Sequence, residues 1–381
     1  MTPAVREPDA PRRAPRQGRT GGRPGFAPSW FASVMGTGIV ANAAVALPRS
    51  VPGLRTAATV VWAAAALLLV VLAAAYLRQR TVRHHAADPA QLQFFGAPAV
   101  ALLTVGAGTL QLGGPVIGAH AALTADWVLW LLGTGLGLAT ACTVPYLMVT
   151  RHHYAPDAAS GGWLMPVVPP LVSATTGALL VVHAPAGQVR LAMLLGCYAV
   201  LGLGLVAVLL VITMVYSRMV HHEAPTGTVV PTLWIGLGAL SQVVTALGAL
   251  ATVVPGTLAP AYAQGAAAAA LLGGLAVWGF ALLWLWLAAA LSLRELRAGR
   301  LPFAPSWWSF IFPLGAYVTG TTALAVRTGS LVFVWAAVVL YVALVAAWAV
   351  VAARSLGHAA AHAPGGGRRR GRTPPAPRLV R

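Results

Sequence analysis

The chain has 381 residues, of which 58% are hydrophobic and 8% are charged, and its mean hydropathy is +0.77. Soluble domains carry about 25% charged residues, so this composition excludes a soluble globular protein and indicates an integral membrane protein. The formal net charge is +18, because 25 basic residues, all of them arginine, face seven acids. In a chain this apolar, that charge favours contact with the lipid bilayer over binding of nucleic acid.

The two ends of the chain are rich in Arg, Pro and Gly. Residues 1–28 contain no apolar core of the kind that a signal peptide needs, so we expect no cleaved segment. Residues 1–28 and 354–381 also lack the apolar content needed to fold, and we expect both to be disordered basic tails. Residues 29–353 then form the transmembrane domain.

Ten apolar segments between the tails are each about long enough to cross a bilayer, which takes about 20 residues. The odd-numbered segments contain Pro, Gly, Ser and Thr in their interiors, whereas the even-numbered ones are mostly Ala, Leu and Val. Broken or polar helices survive in a membrane only against protein or a water-filled path. The sequence therefore predicts an all-α membrane protein of five helical hairpins, with irregular helices inside and plain ones outside. In chain order the segments are 29–47, 56–77, 96–114, 124–149, 163–183, 189–217, 229–254, 263–291, 305–326 and 331–353.

Charge placement predicts the orientation of these spans. Under this assignment 21 arginines fall on one side of the membrane and four on the other, namely Arg49, Arg55, Arg190 and Arg327. Arginine collects in cytoplasmic segments. We therefore expect a multi-pass protein of the plasma membrane with both termini in the cytoplasm.

The acidic residues are informative through their positions. Each of the seven falls in a tail, a loop or the end of a span, Asp126 among them, so we expect no carboxylate at mid-membrane. Carriers coupled to protons or sodium often rely on intramembrane ionisable groups. Their absence favours uncoupled passage of an anion along neutral hydrogen-bond donors. The candidate donors on odd spans are Thr37, Asn42, Thr104, Ser173, Thr175, Thr176, Ser241, Gln242, Thr245, Thr319 and Thr322.

Three histidine pairs follow spans two, four and six, each after an arginine: His84-His85, His152-His153 and His221-His222. Such pairs suit a pH sensor or a metal site, but they also suit ordinary positive charge beside a membrane, which we favour. The cysteines lie inside spans without metal-ligand spacing and indicate packing. A membrane redox subunit would need two histidines at matching depths to hold haem, and His183 alone lies near a span, so we expect no metal, no cofactor and no enzyme activity.

Two strings in odd spans carry a family resemblance. The run from Trp30 to Ile39, WFASVMGTGI, and the run from Trp307 to Gly315, WWSFIFPLG, resemble the first and ninth helices of the tellurite-resistance/dicarboxylate transporter family. That family includes plant slow-anion channels and fungal sulfite efflux pumps. Trp163 to Pro166 together with 173–177 resembles the fifth helix of the sulfite-pump branch, and the similarity covers about residues 28–353.

The resemblance implies ten helices with an inner ring of odd helices around a central pore, assembled as a homotrimer in which each protomer has its own path. It also implies that a Phe on the ninth helix occludes the pore. Phe312 matches that position, and Phe310 is its rival because a two-residue register error exchanges them. The pore-lining candidates are Thr37, Gly38, Asn42, Thr104, Ser173, Thr176, Gln242 and Thr319.

These observations predict an anion channel or facilitative transporter that exports small oxyanions, sulfite-like, or C4-dicarboxylates. Neutral donors would replace part of the hydration of the ion, and aromatic occlusion would prevent free passage. The alternative is a proton-coupled carrier of C4-dicarboxylates such as malate. The residues do not separate these substrates.

Overall fold

The computed structural model describes residues 27–49, 51–79, 85 and 87–361, and this part of the chain is helical without a named strand. Most of the two basic tails lies outside the described residues. Ten helices of 14 residues or more run through the described part of the chain, and we number them in chain order. They are α1 Phe31–Ala46, α2 Leu54–Gln79, α3 Gly96–Leu112, α4 Ala119–Arg151, α5 Val168–Val181, α6 Gln188–His221, α7 Trp234–Val253, α8 Pro260–Arg297, α9 Ile311–Thr328 and α10 Leu331–Ala361.

The five odd helices form a closed ring. Helix α1 packs against α3, α3 against α5, α5 against α7, α7 against α9, and α9 returns to α1. Each even helix lies outside the groove between two ring members: α2 on α1 and α3, α4 on α3 and α5, α6 on α5 and α7, α8 on α7 and α9, and α10 on α9 and α1. The predicted division into inner and outer helices is therefore confirmed.

Burial and backbone geometry follow the same division. In an 18-residue apolar stretch of each inner span α1, α3, α7 and α9, between 72% and 78% of the residues are buried. The corresponding share in the outer helices is 17% to 28%. Every inner helix is preceded by a 3₁₀ segment, namely Pro28–Trp30, Gln93–Phe95, Gly161–Leu164, Gly227–Leu233 and Pro305–Phe310. Such irregular backbone is tolerated where protein surrounds it. The odd segments can therefore contain Pro and Gly, because protein surrounds these helices.

Some boundaries differ from the sequence-based expectation. Nine of the described helices are long and apolar enough to cross a membrane, whereas α5 has only 14 residues and is completed by the 3₁₀ turn before it. Helix α10 continues to Ala361, eight residues beyond the expected end of the span. Helix α8 contains a π-helical segment, Ala269–Gly273, so the outer helices are not uniformly regular.

Glycines bring α1, α7 and α9 close together on one side of the ring. A Cβ at Gly315 of α9 would lie 2.7 Å from the side chain of Ile39 on α1, and one at Gly238 of α7 would lie 3.1 Å from Pro313. Pro313 is the third residue of α9, directly after the 3₁₀ segment. Its missing N–H thus falls in the first α-helical turn, where it has little cost.

Candidate functional site

A cavity of about 500 Å³ lies at the centre of the ring and is lined by all five inner helices. Its lining residues come mainly from the C-terminal halves of these helices and reach the last turn of α1, α3, α7 and α9. The volume is typical of a site for a small solute. The polar lining residues are Asn42, Thr104, Gln111, Thr175, Thr176, Gln242, Thr245, Thr252, Thr319, Thr322 and Arg327.

Most threonine hydroxyls of this wall already use their proton. Thr104, Thr176 and Thr245 each donate to a carbonyl of their own helix, at 2.7, 2.9 and 3.0 Å. Oxygens engaged in this way turn lone pairs, rather than protons, toward a solute. The hydroxyls thus supply fewer free donors than their number suggests.

Amide side chains of the wall keep donors available, because Asn42 and Gln111 each use one of their two N–H groups and Gln242 uses neither. The Gln242 Oε1 accepts a hydrogen bond from Thr175 at 2.9 Å, and its amide N–H groups have no partner among the described residues. The Thr322 hydroxyl also has no partner in the described part of the chain, but its oxygen is buried and presents no surface to the cavity. Buried polar groups left unpaired are costly, so the Gln242 amide gains from a solute that accepts a hydrogen bond.

Phe312 separates the central cavity from a smaller one. Its buried side chain, 2% exposed, lines the 500 Å³ cavity and also a second cavity of about 10 Å³. The small cavity is lined by residues at or near the N-terminal ends of the inner helices, including Met35, Val168 and Ile235. A space of that size holds at most about one water molecule. The Phe312 ring thus borders a large cavity on one side and almost no open space on the other.

Several predicted site residues meet at this cavity. Asn42, Thr104, Thr176, Gln242 and Thr319 all line it, together with Phe312. The Asn42 amide donates to the Thr104 carbonyl at 3.0 Å and thereby joins α1 to α3 across the wall.

Four other candidates point elsewhere. The Thr37 hydroxyl accepts a hydrogen bond from Trp348 of α10 at 3.2 Å, and Gly38 faces Thr104 and α2 as a packing residue. The Ser173 hydroxyl lies 2.7 Å from that of Thr134 on α4. Phe310 packs edge-on against Trp234, with ring centroids 5.3 Å apart. These residues join inner helices to their neighbours and do not line the cavity.

Three polar lining residues were missed in the sequence: Gln111, Thr252 and Arg327. Gln111 and Thr252 each follow a recognised lining residue, Thr104 or Thr245, by seven positions. A seven-residue step is about two helical turns and returns to the same face. That spacing would have identified both residues.

Asp126 is more deeply buried than its position near the start of a span suggested. It lies two turns inside α4, is fully buried, and both of its carboxylate oxygens lack a hydrogen-bond partner among the described residues. A Cβ at Gly106 of α3 would lie 2.6 Å from Asp126 Oδ1. Gly106 is about 200° around α3 from the lining residue Thr104. A carboxylate is thus buried within the membrane domain, but behind the inner ring rather than in its wall.

The histidine pairs form no metal centre in the described residues, where no three His, Cys, Asp or Glu residues come together. His84 lies outside the described residues, and the His85 ring stacks on Tyr76. His221 Nδ1 lies 2.8 Å from the carbonyl oxygen of Ser217, one turn earlier on its own helix.

A ten-helix membrane protein with a solute-sized cavity inside a closed helical ring is built as a channel or transporter. Comparison with known proteins gives the family. Residues 25–356 match the voltage-dependent anion channel (SLAC1) family, and the chain belongs to it. Members of this family are channels or transporters rather than enzymes.

Individual relatives agree with this assignment. The chain is similar to the sulfite efflux pump of Arthroderma otae, with 27% identity over 342 residues that cover 86% of this chain and 88% of the pump. The sulfite efflux pump of Trichophyton rubrum is 28% identical over 316 residues, covering 78% and 81%. An uncharacterized transporter of Methanocaldococcus jannaschii is 28% identical over 305 residues, covering 78% and 82%. The protein is thus a multi-pass membrane protein of anion transport.

Proposed function

We propose that the protein exports small oxyanions of the sulfite type from the cytoplasm, by passive flow through the inner ring. The observation that carries this proposal is the central cavity, which offers unpaired donors and ends on Phe312. The similarity to two sulfite efflux pumps supports this substrate class.

The dipoles of the inner helices produce an electrostatic field that favours an anion on the cytoplasmic side. All five inner helices run in parallel, because each is followed by an outer helix that returns the chain. Their N-terminal ends lie on the side where the arginines collect, and each end carries about half a positive charge. An anion is therefore drawn toward Phe312 before it meets the wall of the cavity.

Passage then requires the Phe312 ring to move out of the path, and it requires weak binding of the ion in the central cavity. The closed ring blocks the ion by bulk and by exclusion of water, as an apolar constriction does. Once past the ring, the ion meets the Gln242 amide, which replaces part of its hydration. Few free donors mean weak binding, and weak binding permits rapid release.

Flux into proteoliposomes tests this function. Purified protein is reconstituted, and uptake of sulfite, chloride, nitrate and malate is followed without a pH gradient. We expect sulfite to pass and its flux to follow its own electrochemical gradient. Protein-dependent flux of none of the four anions would overturn the proposed function.

Asp126 supports a second candidate, a proton-coupled carrier of C4-dicarboxylates. A buried ionisable group in a membrane is a functional-site hypothesis by default, but this carboxylate lies behind α3 and not in the cavity. We therefore expect an imposed pH gradient to drive no uphill accumulation of malate or sulfite, in the native protein or in Asp126→Asn. Uphill accumulation that is lost in Asp126→Asn would establish the carrier instead.

A further inference from the structure

We infer that Arg327 forms an anion-binding site at the outer mouth of the central cavity. This inference rests on the proposed passage of anions through the ring and adds the residue that receives them on the far side. Among the described residues that line the cavity, Arg327 carries the one charge. It lies in the last turn of α9, at the end of the cavity opposite Phe312.

Helix geometry makes this mouth unfavourable for an anion without added positive charge. The five inner helices end here, and each C-terminal end carries about half a negative charge from carbonyls without an intrahelical partner. Anions that leave the cavity must pass these ends. A cation at the mouth offsets this repulsion.

Two other arginines on this side are engaged in capping. Arg55 donates from Nη2 to the Gln111 carbonyl at 2.7 Å, in the last turn of α3. Arg190 donates to the Ala184 carbonyl at 2.8 Å and to the Val182 carbonyl at 3.2 Å, just after α5. Both guanidinium groups are held against helix ends and line no part of the cavity.

Arg327 differs in how little of its hydrogen-bonding capacity is used. Its Nη2 makes one long bond, 3.3 Å, to the Gly248 carbonyl of α7, and its other N–H groups have no partner in the described part of the chain. A guanidinium has five N–H donors in a planar fork that matches an oxyanion. The geometry thus leaves a fork available in a cavity that is otherwise neutral.

The test compares variants that remove or keep the charge at Arg327 with a variant that removes a charge elsewhere on the same side. Arg327→Gln removes the charge and the fork from the mouth, and Arg327→Lys restores the charge. Arg49→Gln is the matched control, since Arg49 is on the same side but lies over the Trp335 ring at 5.0 Å and does not line the cavity.

Sulfite current is measured in planar bilayers with sulfite on one side only, at about 0.01 M and at about 0.5 M ionic strength, because exposed charges are screened as salt rises. We expect Arg327→Gln to lower the current of sulfite entering from the cavity side about tenfold at low salt and much less at high salt. Arg327→Lys recovers most of the current. Equal effects of Arg327→Gln and Arg49→Gln, or an effect independent of salt, overturn the inference.

A second readout does not require transport. Sulfite should raise the melting temperature of the purified native protein and of Arg49→Gln, but not of Arg327→Gln. If the native protein passes no anion yet shows this stabilisation, the proposed function fails and the binding site stands. If anions flow but Arg327→Gln changes neither the sulfite current nor the stabilisation by sulfite, the proposed function stands and the site is refuted.

Discussion

Phe312 lines both cavities, and our proposal makes its ring the residue that closes the path. We expect Phe312→Ala to raise anion flux severalfold or more, because the change removes the bulk that blocks the ring. The stability loss should be smaller than the roughly 3–5 kcal/mol of a Phe→Ala change in a filled core, since open space already adjoins the ring. Flux and thermal stability are measured on the same preparation.

Phe310→Ala is the matched control for that change. The Phe310 ring packs between Trp234 and Trp307, at centroid distances of 5.3 and 5.8 Å, and lines neither cavity. Its removal should lower the melting temperature without raising flux. A Phe312→Ala variant that behaves like Phe310→Ala would show that both rings are packing residues.

Some of the residues predicted from the sequence to line the pore do line the cavity, and others do not. Asn42 lies in the cavity wall, whereas Thr37, five residues earlier on α1, bonds to Trp348 of the outer helix α10. Five residues correspond to about 140° around a helix. Both residues are polar and lie in the same span, so composition does not separate them. The rotation of α1 within the ring decides which one meets the cavity.

Among the elements, α1 and α9 show how small residues close the ring. A Cβ at Gly315 would approach Ile39 to 2.7 Å, a distance that real Cβ contacts do not show. We therefore expect Gly315→Ala to separate α1 from α9 and to destabilise the protein by about 1–3 kcal/mol, as overpacking does. Thermal unfolding in detergent measures this.

Gly196→Ala is the control at a glycine that faces outward. Gly196 lies within α6, is exposed, and has no atom within 4 Å of the position of an added Cβ. Alanine is the better helix former, so this variant should be as stable as the native protein or slightly more so. Equal melting temperatures for Gly315→Ala and the native protein would contradict the close approach of α1 and α9.

For the whole molecule, the arginine asymmetry predicts the orientation. With 21 arginines on one side and four on the other, both termini should face the cytoplasm. A green fluorescent protein fused after Arg381 should fluoresce, and alkaline phosphatase at the same position should be inactive. The same phosphatase fused after Thr328, at the opposite end of α9, should be active. The reverse pattern would show that the protein has the opposite orientation, with Arg327 on the cytoplasmic side.

The sequence by itself determined the membrane character, the ten helical segments and the assignment of odd helices to the interior. Lipid and protein surroundings select different residue types along each helix, so a linear pattern is enough to show them. Only the tertiary structure decided which face of each inner helix meets the cavity, that most threonine protons are already engaged, and that Asp126 is buried behind Gly106. Helix rotation and depth are set by packing between segments far apart in the chain, and residue type alone does not encode them.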